Sequence, residues 1–271
     1  MEIIIFTKKT IKFFQNYLLN DPVFVLKYGL AYFKKNYTPI AIFYSKEELS
    51  KELQAGKSII RIGDGEIGLL HGRDIGYQKY HPLLKEYLLK SIENYSKDSN
   101  YILSIPIFVN FPNKRLEEVK DRKRCWLPLK IEFFRRFNKD LKYLDAHFFY
   151  YRDLMLNFFK ENLKDKDIVV IAKKEYIENL KKTDLSIYNL KSVNLIEGPT
   201  ENSFDKFEEI QTQINEVLKS IEDKKNVRLL ISTGPTSKAL VYKYAQENIV
   251  SYDIGFGLCY LWDEKDYTFV I

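Results

Sequence analysis

The sequence predicts an α/β fold: a mostly parallel sheet with helices on both faces, behind an N-terminal helical extension. Three observations carry that expectation. Short β-branched and aromatic runs recur along the chain, helical patterns separate most of them, and polar glycine-punctuated loops close several of the runs. Alternating strand and helix signals argue for βαβ units, because a parallel strand pair needs a long crossover.

Taken in order, residues 1–44 are rich in Phe, Tyr and Lys and contain TIKFFQNYLL and DPVFVLKYGLAYFKK. Both read as amphipathic helices, the second opened by Asp21 as N-cap with Pro22 in the first turn. Such helices pack on a core, form a homodimer or make peripheral membrane contact; packing is the expectation. Residues 45–271 then form the main domain. Ser45 and Glu48 stand in capping-box relation and Gly56 stops that helix. SIIRI (58–62) is the first strand, followed by YILSI (101–105), AHFFYY (146–151), DIVVIA (167–172), SVNLI (192–196), VRLLIS (227–232) and VSYDIG (250–255). Helical patterns fall at 153–163, 204–222 and 235–247. No Pro/Gly/Ser-rich linker and no repeat divides the chain.

Composition narrows the chemistry. The chain has 271 residues, 45% of them hydrophobic, which supplies a sizeable core. Its apolar runs fall far short of the roughly 20 residues that span a bilayer. The opening MEIIIFTKKT lacks a signal-peptide pattern, so the expected location is cytoplasmic. Cys125 and Cys259 make neither a disulfide framework nor a zinc spacing, and His71, His81 and His147 stand singly. Any metal is therefore expected to be a hard cation on carboxylates. The net charge of +6 is modest and dispersed, fitting a solvated lysine-rich surface and no nucleic-acid partner.

The sharpest motif is Arg61-Ile62-Gly63-Asp64-Gly65-Glu66 at the end of the first strand. Two carboxylates spaced i, i+2 share a face of a strand, and a glycine turn can aim both at one point. Close carboxylates repel unless a cation intervenes, so Asp64 and Glu66 form a candidate site for Mg²⁺ or Mn²⁺ bridging a diphosphate. The plainer alternative is a polar turn in which Asp64 caps a helix. Ser232-Thr233-Gly234-Pro235-Thr236-Ser237-Lys238 follows VRLLI, with Pro235 suited to a first helical turn. Its hydroxyls and amides, expected to face outward, and Lys238 suit a phosphate, although the P-loop spacing is missing; helix capping by Ser232 or Thr233 is the alternative. Asp253, before Gly255, suits a sugar hydroxyl, a metal, a catalytic base or a turn cap. Arg152 can pair with a phosphate or with a carboxylate. Glu197-Gly198-Pro199-Thr200-Glu201-Asn202 is a further polar loop expected at the same rim, and His71, Gln78 and His81 are expected to be solvated or in the core. Such loops at successive strand ends place ligands along one edge of an α/β sheet.

RIGDGEIGLL, YQKYHPLL, IEGPTENSF, LLISTGPTSKAL and YDIGFG, in this order, resemble the bacterial GT-D-type glycosyltransferases, over about residues 45–257. Those proteins were first catalogued as a domain of unknown function and later linked to glycosylation of serine-rich repeat adhesins in streptococci. The resemblance implies a Rossmann-like fold, a UDP-sugar donor with UDP-glucose foremost, a glycan or glycoprotein acceptor, and a D-x-E metal motif, here Asp64-Gly65-Glu66. It also implies that Gly234, Pro235 and Thr236 border the nucleotide. Where the family commonly has a histidine after the Asp253-Ile254-Gly255 run, Phe256 stands here, so no role of that histidine carries over. On this reading Arg61, Gly63, Gly65, Arg152, Thr233 and Lys238 complete the donor site, and Asp253 is a candidate base. A phosphohydrolase or nucleotidyltransferase using the same carboxylates, and a non-catalytic nucleotide- or glycan-binding module, are the competing readings.

Overall fold

A computed structural model describes residues 41–111 and 123–263, the side chains of 123–127 excepted. The two aromatic helices expected at the start of the chain lie outside the described residues. The chain forms two compact units, one of Ile40–Ile107 with Arg136–Ile271 and one of Met1–Pro39 with Phe108–Arg135.

The first unit carries the sheet. In chain order it contains β1 (Ile42–Phe43), α1 (Lys46–Gln54), β2 (Ser58–Arg61), α2 (Asp64–Leu70), α3 (Pro82–Glu93) and β3 (Tyr101–Ile105). The helix α4 (Lys123–Arg136) lies nearly all in the second unit, where the buried Lys130 ammonium donates to the Phe111 carbonyl. The first unit resumes with β4 (Lys142–Asp145), α5 (Arg152–Leu163), β5 (Asp167–Lys173), α6 (Lys174–Lys182) and β6 (Ser192–Gly198). It ends with α7 (Phe207–Lys219), β7 (Val227–Ser232), α8 (Pro235–Gln246) and β8 (Ser251–Asp253). The eight strands run β1-β4-β3-β2-β8-β7-β5-β6, and every neighbouring pair is parallel.

Strand alternation splits the core between two faces. Ile59, Ile102, Ile168, Val170, Leu230 and Tyr252 pack with Leu49 and Leu53 of α1, Phe158 and Phe159 of α5, and Ile177 and Leu180 of α6. The intervening Ile60, Leu103, Val169, Ile171, Leu229 and Ile231 are buried on the opposite face. There α8 lies against β2, β7, β8 and α3, and α7 lies against β6. Because α8 is covered on nearly every side, its residues Pro235–Tyr242 are all buried, Lys238 included. Such strands read as continuous hydrophobic runs, as parallel strands covered on both faces must.

Local chemistry explains the capped helix and the misplaced strand. Glu48 N–H donates to Ser45 Oγ at 3.2 Å and Ser45 N–H to Glu48 Oε2 at 3.0 Å, the reciprocal capping box expected for α1. AHFFYY is not a strand. Asp145 Oδ1 accepts the His147 and Ile107 amides, each at 3.1 Å, and this side-chain cap turns Ala146–Tyr150 into a 3₁₀ segment. The helix expected over 204–222 is a 3₁₀ turn at Ser203–Lys206 running into α7. No helix among the described residues is long and apolar enough to cross a membrane.

Candidate active site

Strands β2, β8 and β7 are neighbours at the middle of the sheet, so three of the motifs end side by side. Their charged side chains form one buried network. Lys238 Nζ lies 3.0 Å from Asp253 Oδ2 and 3.3 Å from Glu66 Oε1, and donates to the Gly234 carbonyl at 3.1 Å. Arg61 Nη2 lies 3.3 Å from Asp253 Oδ1, and its guanidinium sits over the Phe149 ring, 4.9 Å from the centroid. The Asp253 side chain has 0% exposure. Two cations and two carboxylates therefore cancel in a site where an uncompensated charge would be very costly.

The protonation states follow from that balance. Burial alone pushes the Asp253 carboxyl up, but the Arg61 and Lys238 cations outweigh it and hold it below the ordinary carboxylate range. Burial likewise pushes the Lys238 ammonium down, and Asp253 and then Glu66 more than restore it. Asp253, a candidate base in the sequence, is thus closed to solvent with both oxygens occupied. In this arrangement it anchors the two cations.

The two carboxylates of the D-x-E motif do not aim at one point. The backbone is already helical at Asp64, which is the first residue of α2 with Gly63 as N-cap. Residues i and i+2 on a helix face different ways, whereas on a strand they would share a side. Asp64 is exposed at the rim, while Glu66, 6% exposed, turns inward to accept the Gly63 amide at 2.8 Å and to meet Lys238. The motif glycines serve packing as well: a Cβ at Gly65 or Gly68 would meet the Ile75 side chain at 3.4 or 3.2 Å.

The turn before α8 also differs from its expected form. Gly234 is the N-cap, with φ +60°, and Pro235 takes the first position of the helix. The nearby hydroxyls face inward. Ser203 Oγ lies 2.6 Å from Thr236 Oγ1, the Thr233 amide donates to Ser237 Oγ at 2.9 Å, and Thr233, Thr236 and Ser237 are all buried. They join the loop after β6 to the start of α8, and Ser203 Oγ also donates to the Thr233 carbonyl at 2.7 Å. Arg152 opens α5 half-buried and forms no ion pair with this cluster. His81 caps α3 by accepting the Leu83 amide, and Gln78 is buried and accepts the Phe204 amide, both roles structural.

Two contributors escaped the sequence reading. Phe149 belongs to the run read as a strand. Gly255 was read only as the end of the strand 250–255, yet a Cβ there would fall 1.9 Å from Arg61 Nη2, and its φ is +46°. Gly255→Ala is expected to displace Arg61 and to lose about 1–3 kcal/mol from the left-handed backbone alone. Urea unfolding checks this, and a variant as stable as the parent would show that the guanidinium does not need the glycine's open space.

With the geometry in place, similarity to known proteins identifies the family. The model of the glycosyltransferase GT-D fold matches residues 59–262. The chain is 26% identical over 243 residues to the probable glycosyl transferase Gly of Streptococcus gordonii, covering 84% of this chain and 33% of that protein. It therefore spans about a third of the length of that curated relative. A solved structure described as a new glycosyltransferase, domain of unknown function 1792, from Streptococcus sanguinis superposes with a TM-score of 0.63 at 21% identity, covering 79% of this chain and 81% of the other. Another, described as the highly conserved domain of unknown function 1792 with a distinct glycosyltransferase fold, gives 0.64 at 19% identity, covering 80% and 79%. The family match takes in all three strand ends of the buried network, and the chain belongs to the glycosyltransferases of the GT-D fold.

Proposed function

We propose that this protein transfers a hexose, glucose foremost, from a UDP-sugar to a glycan on a glycoprotein. The single observation supporting a donor site here is the meeting of three strand ends around a neutralised charge network, with Asp64 left open at its rim. In open α/β sheets the carboxyl ends of the strands are where ligands bind. The glycoprotein acceptor rests on the family resemblance alone.

Among the described residues no group of three or more His, Cys, Asp and Glu side chains is placed to hold a metal ion by itself. A hard cation shared with a diphosphate and water asks less of the protein, commonly one or two carboxylates, and Asp64 fits that demand. Asp64 would hold Mn²⁺ or Mg²⁺, with the Glu66 charge behind it. When bound, the ion neutralises charge developing on the departing diphosphate.

The remaining work falls to this chain's own groups. The backbone of 233–236 and the start of α8 border the nucleotide. Arg61 presents a buried Nε–H with no hydrogen-bond partner among the described residues, a donor available to a phosphate oxygen. Lys238 and Asp253 keep Arg61 and Glu66 in place, so these charges need no reorganisation as the transition state forms. In the reaction the anomeric carbon's bond to the diphosphate oxygen breaks, its bond to an acceptor hydroxyl forms, and the hydroxyl proton leaves to a base.

Incubation with UDP-glucose, Mn²⁺ and a glycan acceptor tests the reading. It predicts UDP release together with an elongated glycan. Phosphate or UMP release without elongation would indicate a phosphohydrolase or nucleotidyltransferase, and binding without any turnover would indicate a non-catalytic nucleotide- or glycan-binding module.

A further inference from the structure

Tyr77 is 50% exposed, yet the loop that carries it is tied down by backbone hydrogen bonds. Ile75 and Gln78 exchange backbone hydrogen bonds, N to O at 2.9 and 3.2 Å, closing a two-residue turn with Gly76 and Tyr77 at its tip. The Tyr77 carbonyl accepts the Asn202 amide at 2.9 Å, and the Lys79 amide donates to Asn202 Oδ1 at 2.8 Å. Asn202 itself adopts φ +48°, a conformation asparagine tolerates better than most residues. Buried Gln78 accepts the Phe204 amide at 3.2 Å, and Ile75 lies on the glycine face of α2. Loops after α2 and after β6 are thereby clamped together, and the clamp fixes where one aromatic ring stands.

That ring stands over the candidate site. Its carbons come within 3.0 and 3.4 Å of where a Gly234 Cβ would be, and its hydroxyl within 3.8 Å of a Gly65 Cβ. One side of the phenol therefore covers the turn before α8, and the hydroxyl sits above the acidic motif. Half of the residue's surface remains exposed. The hydroxyl has no hydrogen-bond partner among the described residues, so the fold gains no bond from it. Burial, then the nearby Glu66 carboxylate, push its pKa up, so it stays a proton donor at neutral pH.

We propose that Tyr77 is a donor-contacting residue, its ring walling the nucleotide-sugar pocket and its hydroxyl donating to the diphosphate. This rests on the UDP-sugar reading above and assigns a contact within it. A phenol suits the task because it combines a rigid apolar wall with one polar handle.

The test is calorimetric titration of the parent protein, Tyr77→Phe and Tyr77→Ala with UDP and with uridine, each with Mn²⁺, beside thermal melts. A hydrogen bond to a charged group predicts that Tyr77→Phe binds UDP roughly 10- to 100-fold more weakly. It should bind uridine as the parent does, and melt at the same temperature because the hydroxyl has no partner in the protein. Tyr77→Ala should lose affinity for both ligands. A merely structural role would weaken both ligands equally in Tyr77→Phe, and that result overturns the proposal. Parent-like UDP binding by Tyr77→Phe overturns it too, while leaving the donor reading intact. A parent protein that binds neither UDP nor UDP-glucose overturns both.

Discussion

Replacing Lys238 with methionine is expected to lower the unfolding free energy by about 3–5 kcal/mol, the usual result of removing one partner from a buried charge set. The shape of the side chain is nearly kept, so the loss reports the charge. Lys238 contacts both Glu66 and Asp253, and without it the fully buried Asp253 keeps only Arg61 while Glu66 keeps only the Gly63 amide. In a domain of this size the melting temperature should fall by roughly 10 °C. Thermal melts followed by circular dichroism check it, and adding Glu66→Gln should recover part of the loss, since a neutral amide no longer needs the ammonium. A single variant within 1 kcal/mol of the parent would mean that water reaches these carboxylates and screens them.

Asp64→Asn should do the opposite, leaving the fold alone and removing the activity. Asp64 is exposed at the first turn of α2 and takes no part in the buried network, so stability should stay within about 0.5 kcal/mol of the parent. If this carboxylate holds the cation that neutralises the leaving diphosphate, its loss removes several kcal/mol of transition-state stabilisation, and the rate should fall about 10²–10³-fold. Initial rates of UDP release at saturating Mn²⁺, beside an unchanged melt, make the comparison. An Asp64→Asn enzyme with the parent's rate would leave the exposed carboxylate idle.

The sheet was legible because its strands obey one simple rule. Strands covered on both faces must be apolar along their length, so SIIR, YILSI and VRLLIS announce themselves before any topology is known. The capping box at Ser45 was equally plain, since both halves lie within four residues. AHFFYY deceived because aromatic residues favour strands, while its fate was decided by the acceptor Asp145 just upstream. The candidate site was legible as a set of polar strand ends and much less so as an arrangement. Gly-Asp-Gly-Glu looks like a turn, and one helical residue more or less decides whether its carboxylates converge or part. Asp253 meets Arg61 across 192 residues of sequence, and no local pattern pairs them. Lys238, on a helix start, reads as a hand held out to phosphate; only the burial of α8 on all sides turns it inward. Tyr77 opens the YQKYHPLL segment, but nothing local placed its ring at the site, because its position depends on an asparagine in a loop after another strand.

Crystals soaked with Mn²⁺ and UDP, with diffraction recorded at the manganese edge, put the central claim to its most direct test. An anomalous peak in contact with Asp64 and with the diphosphate, the nucleotide lying along residues 233–236, is the predicted result. Nucleotide bound elsewhere, or bound here with no metal at Asp64 and the Glu66–Lys238–Asp253 network untouched by it, would contradict it.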